Sequence, residues 1–204
     1  VDRVLHEFGF AVGPFTMWDI AGNDVGWRIR QSKAASRDPN LRYSVIGDRV
    51  CEQGRFGQKT SKGWYKYEKG SRKGVEDPEV AAIIQQCATE ANVTQRSISD
   101  DEIFWRCMLP LINEGFKILE EGIATCPSDV DVIWIYGYSW PVHRGGPMHF
   151  ADATGLGRIV ELMNYYQAQH PREPHFTPCA LLQRLASQHL SLKDYWATKL
   201  FARL

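Results

Sequence analysis

The sequence predicts an all-α protein built from a tandemly duplicated helical domain, and three observations predict it. Apolar residues recur at helical spacing, caps precede several of those runs, and one residue pattern occurs twice. The clearest cap is Ser99-x-x-Glu102, a capping box in which the hydroxyl accepts from the third backbone N–H and the Glu reaches back to the cap. It opens a long helix over 102–121, with Ile103, Cys107, Leu111, Ile118 and Leu119 on one face, a kink at Pro110 and a stop at Gly122. Asp77-Pro78 and Thr177-Pro178 each pair a cap with a proline at the first helical position, where no intrahelical N–H is lost. Helices are therefore expected over 79–87 and 179–188. Another over 156–169 carries the stripe Ile159, Leu162, Met163 and Tyr166, and a short one precedes Gly54. Gly63-Trp64-Tyr65-Lys66-Tyr67 alternates in the manner of a brief strand or an extended loop.

Composition bounds the function. The 204 residues, 44% hydrophobic, suffice for one large domain or two small ones. Twenty-four basic residues balance 24 acidic ones, which argues against a disordered tail and against bulk electrostatic binding of nucleic acid. No apolar run approaches the roughly 20 residues of a membrane span. The opening VDRVLHEF is neither a signal peptide nor an initiating Met, so a fragment of a longer chain is expected. Five cysteines, all far apart, suggest neither a zinc site nor a disulfide framework. The aromatic share of 12% fits large rings at helix crossings.

The repeat runs as follows. Asp2 and Phe8-Gly9-Phe10 precede Pro14, Asp19 and Gly22; Asp131 and Tyr136-Gly137-Tyr138 precede Pro147, Asp152 and Gly155. From Pro to Asp to Gly the steps are 5 and 3 residues in both copies. The second copy has a long leading helix and the first has none, so the first is expected to be cut, with its helix upstream in a parent. The division is 1–75 for the truncated first repeat, 76–98 for a connecting helix and linker, and 99–204 for the second repeat with its tail. Asp19 and Asp152 are each expected to cap the helix or turn that follows the proline of their copy, matching orphan N–H groups and the helix dipole.

Several chemistries find no support. His143, His149 and Asp152 lack metal-ligand spacing, and no other cluster suggests a metal. Ser139 reads as a turn residue, and no G-x-S-x-G or cysteine signature marks a nucleophile. No G-x-G-x-x-G lies between a strand and a helix, so the chain offers no dinucleotide cradle. Arg144-Gly145-Gly146 reads as a tight loop or, less readily, a backbone nest for an anion. The stretch 55–73 carries seven basic residues against Glu68, with Trp64, Tyr65 and Tyr67 among them. A solvated edge, a surface for a CoA-like anion and a nucleic-acid stacking face remain open there, in that order.

The motifs resemble a family. Gly9-Phe10-Ala11-Val12-Gly13-Pro14-Phe15 with Asp19 and Gly22 resembles the C-terminal helical domain of 3-hydroxyacyl-CoA dehydrogenases, and Arg55-Phe56-Gly57-Gln58-Lys59 with Gly63-Trp64-Tyr65-Lys66-Tyr67 is similar to its closing segment. Asn113-Glu114, 119–124, Asp131, Gly137-Tyr138-Ser139-Trp140-Pro141 and Arg144-Gly145-Gly146-Pro147-Met148 resemble the second copy in multifunctional β-oxidation enzymes, and Gly57-Gln58-Lys59-Thr60, Gly63-Trp64-Tyr65 and the turn Trp140-Pro141-x-His143 most resemble the peroxisomal bifunctional type among these. The resemblance implies a parent that hydrates 2-enoyl-CoA in a crotonase-type domain, with isomerase chemistry, and oxidises L-3-hydroxyacyl-CoA with NAD in an upstream domain. No residue here matches the family's catalytic pair, so none is carried over and the fragment alone is expected to be inactive. It would form one wall of the acyl-CoA cleft, with Pro14, Phe15, Lys59 and Lys62 as the substrate-binding candidates, and its second copy would stand in for a dimer partner. Ala202-Arg203-Leu204 resembles the Ser-Lys-Leu address read by the peroxisomal import receptor. The competing expectation is a helical interaction module without an enzymatic parent.

Overall fold

The computed structural model describes residues 1–201, with side chains through Thr198. The predicted all-α class holds, and the chain divides into two compact units. The first takes Val1–Arg3 and Val12–Ile98; the second takes Val4–Ala11 and the chain from Ser99 onward. Helix α1, Asp2–Phe8, thus contributes its first two residues to one unit and the rest to the other.

The first unit contains α2 (Pro14–Ala21), α3 (Asn23–Ser32), α4 (Ile46–Glu52) and α5 (Pro78–Glu90), with 3-10 turns at Ala34–Ser36 and Gln58–Thr60. Asp77 caps α5 by accepting from Glu79 N, as the Asp-Pro start predicts. Its apolar cluster is small: Val50, Ile83 and Cys87, with Ile46 and Trp64 against them. Strand β1, Tyr65–Tyr67, pairs antiparallel with β2, Gly74–Glu76, in the register Tyr65 to Glu76 and Tyr67 to Gly74. The aromatic alternation signals β1, whereas β2 carries no comparable signal. Residues 76–98 fall within this unit.

The second unit is built around α6, Asp100–Glu120, which continues through Pro110 and is capped by Ser99 Oγ on Glu102 N at 3.2 Å. Its buried face is Met108, Leu109, Ile112, Phe116 and Leu119. The expected stripe of Ile103, Cys107, Leu111 and Ile118 is only partly buried, because α8 (Pro147–Thr154), α9 (Leu156–Gln169) and α10 (Ala180–Ser187) enclose α6 from a neighbouring side. Helix α9 has the expected bounds and buries Ile159, Met163 and Tyr166. Helix α10 starts later than its Thr-Pro signal suggests. The buried Asn113 amide explains the delay: Nδ2 donates to Thr177 O at 2.9 Å and Oδ1 accepts from Cys179 N at 2.9 Å, holding that strip extended. Helices α7 (Pro127–Gly137) and α11 (Leu192–Phe201) complete the unit. Rings meet edge-on in its core, with Phe8 5.4 Å from both Trp140 and Phe150 and Phe10 5.4 Å from Trp140.

Candidate functional site

Each unit is organised by two aspartates. In the first, Asp2 Oδ1 accepts from Phe15 N at 2.9 Å, and Oδ2 accepts from Thr16 N at 2.8 Å, Thr16 Oγ1 at 2.7 Å and Tyr65 Oη at 3.1 Å. In the second, Asp131 Oδ1 accepts from Met148 N at 2.7 Å and Oδ2 from His149 N at 3.1 Å. Both carboxylates therefore satisfy the two amides that follow the helix-opening proline. The glycine before that proline makes room for them. A Cβ on Gly13 would lie 2.3 Å from Asp2 Cγ, and one on Gly146, at φ +92°, would lie 2.4 Å from Asp131 Cβ.

The other pair corrects an expectation. Asp19 and Asp152 do not cap the helices that follow Pro14 and Pro147; Asp2 and Asp131 do. Each lies near the C-terminal end of an eight-residue helix, where its carboxylate cannot turn back to the free amides of the first turn. Asp19, 1% exposed, instead accepts from Asn23 Nδ2 at 2.7 Å, from Trp64 N and Tyr65 N at 2.9 Å, and from Tyr67 Oη at 2.9 Å. Asp152 accepts from Leu192 N at 2.6 Å and Lys193 N at 3.1 Å, at the opening of α11. Sequence reasoning missed Asp2 and Asp131 as caps. Their steps to the first accepted amide are 13 and 17 residues, so no fixed spacing flags them. Burial pushes Tyr65 up to about 12, with the Asp2 charge adding to it. Burial also pushes Asp131 up to about 6, against the lowering effect of its two amides and His149.

The substrate-binding candidates are distributed over the first unit. Pro14 opens α2, and the Phe15 ring lies 4.5 Å from Trp64 and 5.5 Å from the half-exposed Trp18, forming an aromatic platform. Lys59 is paired with Asp24, whose carboxyl it holds below the usual range by hydrogen bond and charge. Lys62 Nζ lies 3.6 Å from Glu79. Arg55, the first cation of the basic stretch, is 1% exposed: it donates to Gly63 O at 2.9 Å and pairs with Asp77 and Glu79 at 2.6 Å each. Burial pushes Asp77 up, but the Arg55 guanidinium outweighs it and holds the carboxyl below the usual range. Three of the seven cations are thus matched by carboxylates, which corrects the picture of seven charges available to an anion.

In the second unit Arg144-Gly145-Gly146 joins the 3-10 turn Val142–Arg144 to α8, and the guanidinium is engaged within the protein. Its Nε donates to Phe8 O at 2.9 Å and its carbon lies 4.2 Å above the Phe8 ring. Ser139 takes a left-handed turn conformation at φ 58°. A cleft of about 980 Å³ is lined by Asp131, Met148, His149, Leu192, Lys193 and Trp196 among others. No group of three His, Cys, Asp or Glu among the described residues could hold a metal ion. NAD does not fit the described residues either. A dinucleotide pyrophosphate sits where a parallel strand turns into a helix through glycines, and the strands here form only the short β1–β2 hairpin.

The family model of the 3-hydroxyacyl-CoA dehydrogenase C-terminal domain matches residues 1–67 and 103–193, which hold both aspartate pairs. The chain belongs to this family. Peroxisomal bifunctional enzymes from Cavia porcellus and Homo sapiens are 45% and 44% identical to the dehydrogenase-family chain over 92% of its length, and it spans 28% of theirs. The fatty acid oxidation complex subunit alpha of Vibrio cholerae is 34% identical over 88% of the chain and 24% of the relative. Among solved structures, the dehydrogenase part of multifunctional enzyme 1 from C. elegans superposes with a TM-score of 0.70 at 29% identity, covering 90% of this chain and 41% of that one. The proposed address Ala202-Arg203-Leu204 lies outside the described residues.

Proposed function

We propose that this chain is the C-terminal helical part of a peroxisomal β-oxidation enzyme whose remaining domains hydrate 2-enoyl-CoA and oxidise L-3-hydroxyacyl-CoA with NAD. The observation that carries this reading is the family match on both segments, together with 43–45% identity to several peroxisomal bifunctional enzymes. In this role the chain holds no reacting group. Its first unit supplies a wall of the acyl-CoA cleft through Pro14 and Phe15, whose ring is backed by Trp64. Lys59 and Lys62 are the candidates for the CoA phosphates, each with a carboxylate beside it that weakens its pull on an anion. NAD and the crotonase-type chemistry belong to upstream domains of the same polypeptide. The two matched segments are copies of one domain: both place a Gly-Pro helix start on an aspartate and a second aspartate five residues after the proline. The second copy then replaces a dimer partner within one chain. Ala202-Arg203-Leu204 is read by the peroxisomal import receptor.

The test is kinetic and is made on the full-length protein. It should form NADH from 3-hydroxyacyl-CoA, Phe15→Ala should raise KM for the acyl-CoA, and residues 1–204 alone should form none. A full-length protein with no such oxidation overturns the reading. Deleting residues 202–204 should leave that protein in the cytosol.

A further inference from the structure

The two units treat equivalent carboxylates unequally. Asp2 receives four protein donors, two amides and the hydroxyls of Thr16 and Tyr65. Asp131, 9% exposed, receives two amides among the described residues, about half of a carboxylate's acceptor capacity, and it lines the cleft. A buried carboxylate at half its capacity gains from a further donor.

The hydrogen bonds give the register of the difference. Asp19 accepts from the amides of Trp64 and Tyr65, and Asp152 accepts from those of Leu192 and Lys193, with the same oxygens in the same order. Lys193 therefore stands where the first unit has Tyr65, the residue whose phenol reaches the other aspartate. Its side chain is exposed. The remaining lining has an apolar part, with Met148, Leu192 and the Trp196 ring, which Trp196 Nε1 fixes by donating to Thr125 O at 3.0 Å. Asp131, Asp152 and Asp194 outnumber Lys193 on these walls, which disfavours phosphates and other anions.

We propose that this cleft binds a phenolic hydroxyl carried on an aromatic ring, which donates to Asp131 as Tyr65 donates to Asp2. The inference does not rest on the β-oxidation reading. At neutral pH the carboxylate is charged and accepts; below about pH 6 it is protonated and the preference for a donor fades. A free phenol and a tyrosine on a peptide share this chemistry.

The experiment follows the backbone amides of Met148 and His149 by NMR in the 204-residue protein at about pH 7.5. The probes are p-cresol against 4-methylanisole, which cannot donate, and an Ala-Tyr-Ala tripeptide against Ala-Phe-Ala. The donor of each pair should bind about tenfold more tightly, as one charge-assisted hydrogen bond allows. Asp131→Asn should remove that preference. Should that variant fail to fold, Lys193→Tyr keeps the test intact: its own phenol should shift the same two amides and block both probes. Discrimination by the tripeptide alone places the phenol on a peptide chain, and by p-cresol alone on a small molecule. No preference for either donor, or unchanged binding in Lys193→Tyr, overturns the proposal.

Discussion

The first unit and the second share a carboxylate arrangement but are stabilised by different means. The first has few buried apolar side chains and instead buries Asp19, Asn23 and Arg55, with the hairpin's amides and phenol satisfying Asp19. The second encloses Met108, Leu109, Ile112, Phe116, Trp140, Met148, Ile159 and Leu182 almost completely, and its Asp152 needs only to cap a helix. A satisfied polar network specifies geometry at the cost of tolerance, because loss of one member strands the others. An apolar core loses stability in proportion to the volume removed.

That contrast breaks most sharply at Arg55. Arg55→Met should cost about 3–5 kcal/mol, since it removes a buried guanidinium and leaves the partly buried Asp77 without its cation. Chemical denaturation should then show the first unit melting ahead of the second. Asp19→Ala comes next, at about 3 kcal/mol, from four stranded donors in a site closed to water.

A pH titration sharpens the comparison. The Asp131 carboxyl sits at about 6 in the folded chain against about 3.9 in an unfolded one, so between those values the folded state holds a proton that the unfolded state has lost. Its contribution is greatest below about pH 4 and is lost as the pH rises through 6, by on the order of 2 kcal/mol after allowance for partial solvation. Unfolding midpoints of Asp131→Asn should lack this component across the window. Asp152→Ala should cost only about 1 kcal/mol, the value of a helix cap, so an Asp152 loss equal to that of Asp19 would erase the distinction between the units. The smallest effect belongs to Lys59→Ala, whose surface pair with Asp24 is screened by solvent, so the denaturation midpoint should stay within experimental error of the parent's.

Local signals were legible in the sequence. Ser99 caps α6, Asp77-Pro78 opens α5, α9 has its expected bounds, and β1 lies where the aromatics alternate. Each is written in neighbouring residues. Helix α7 carries no comparable signal although Pro127 stands at its first turn, because its cap is Cys126 with Asp129 and its apolar residues run almost all the way round. At the candidate site, the Pro-to-Asp step marked Asp19 and Asp152 as important but not what they hold.

The sequence by itself determined the helical class, the starts of α5, α6 and α9 and the doubled Pro-to-Asp-to-Gly spacing, since caps, prolines and apolar periods act within a few residues. The tertiary structure alone decided which carboxylate meets which amide. It paired Asp2 with α2, Asp19 with the hairpin 45 residues on and Asp152 with α11 40 residues on. It also decided that Phe8 and Phe10 enter a core while Tyr136 and Tyr138, their counterparts in the pattern, remain exposed at 85% and 54%. Contacts that close long loops depend on where the packed core brings the chain together, and burial then selects among donors that spacing leaves equivalent.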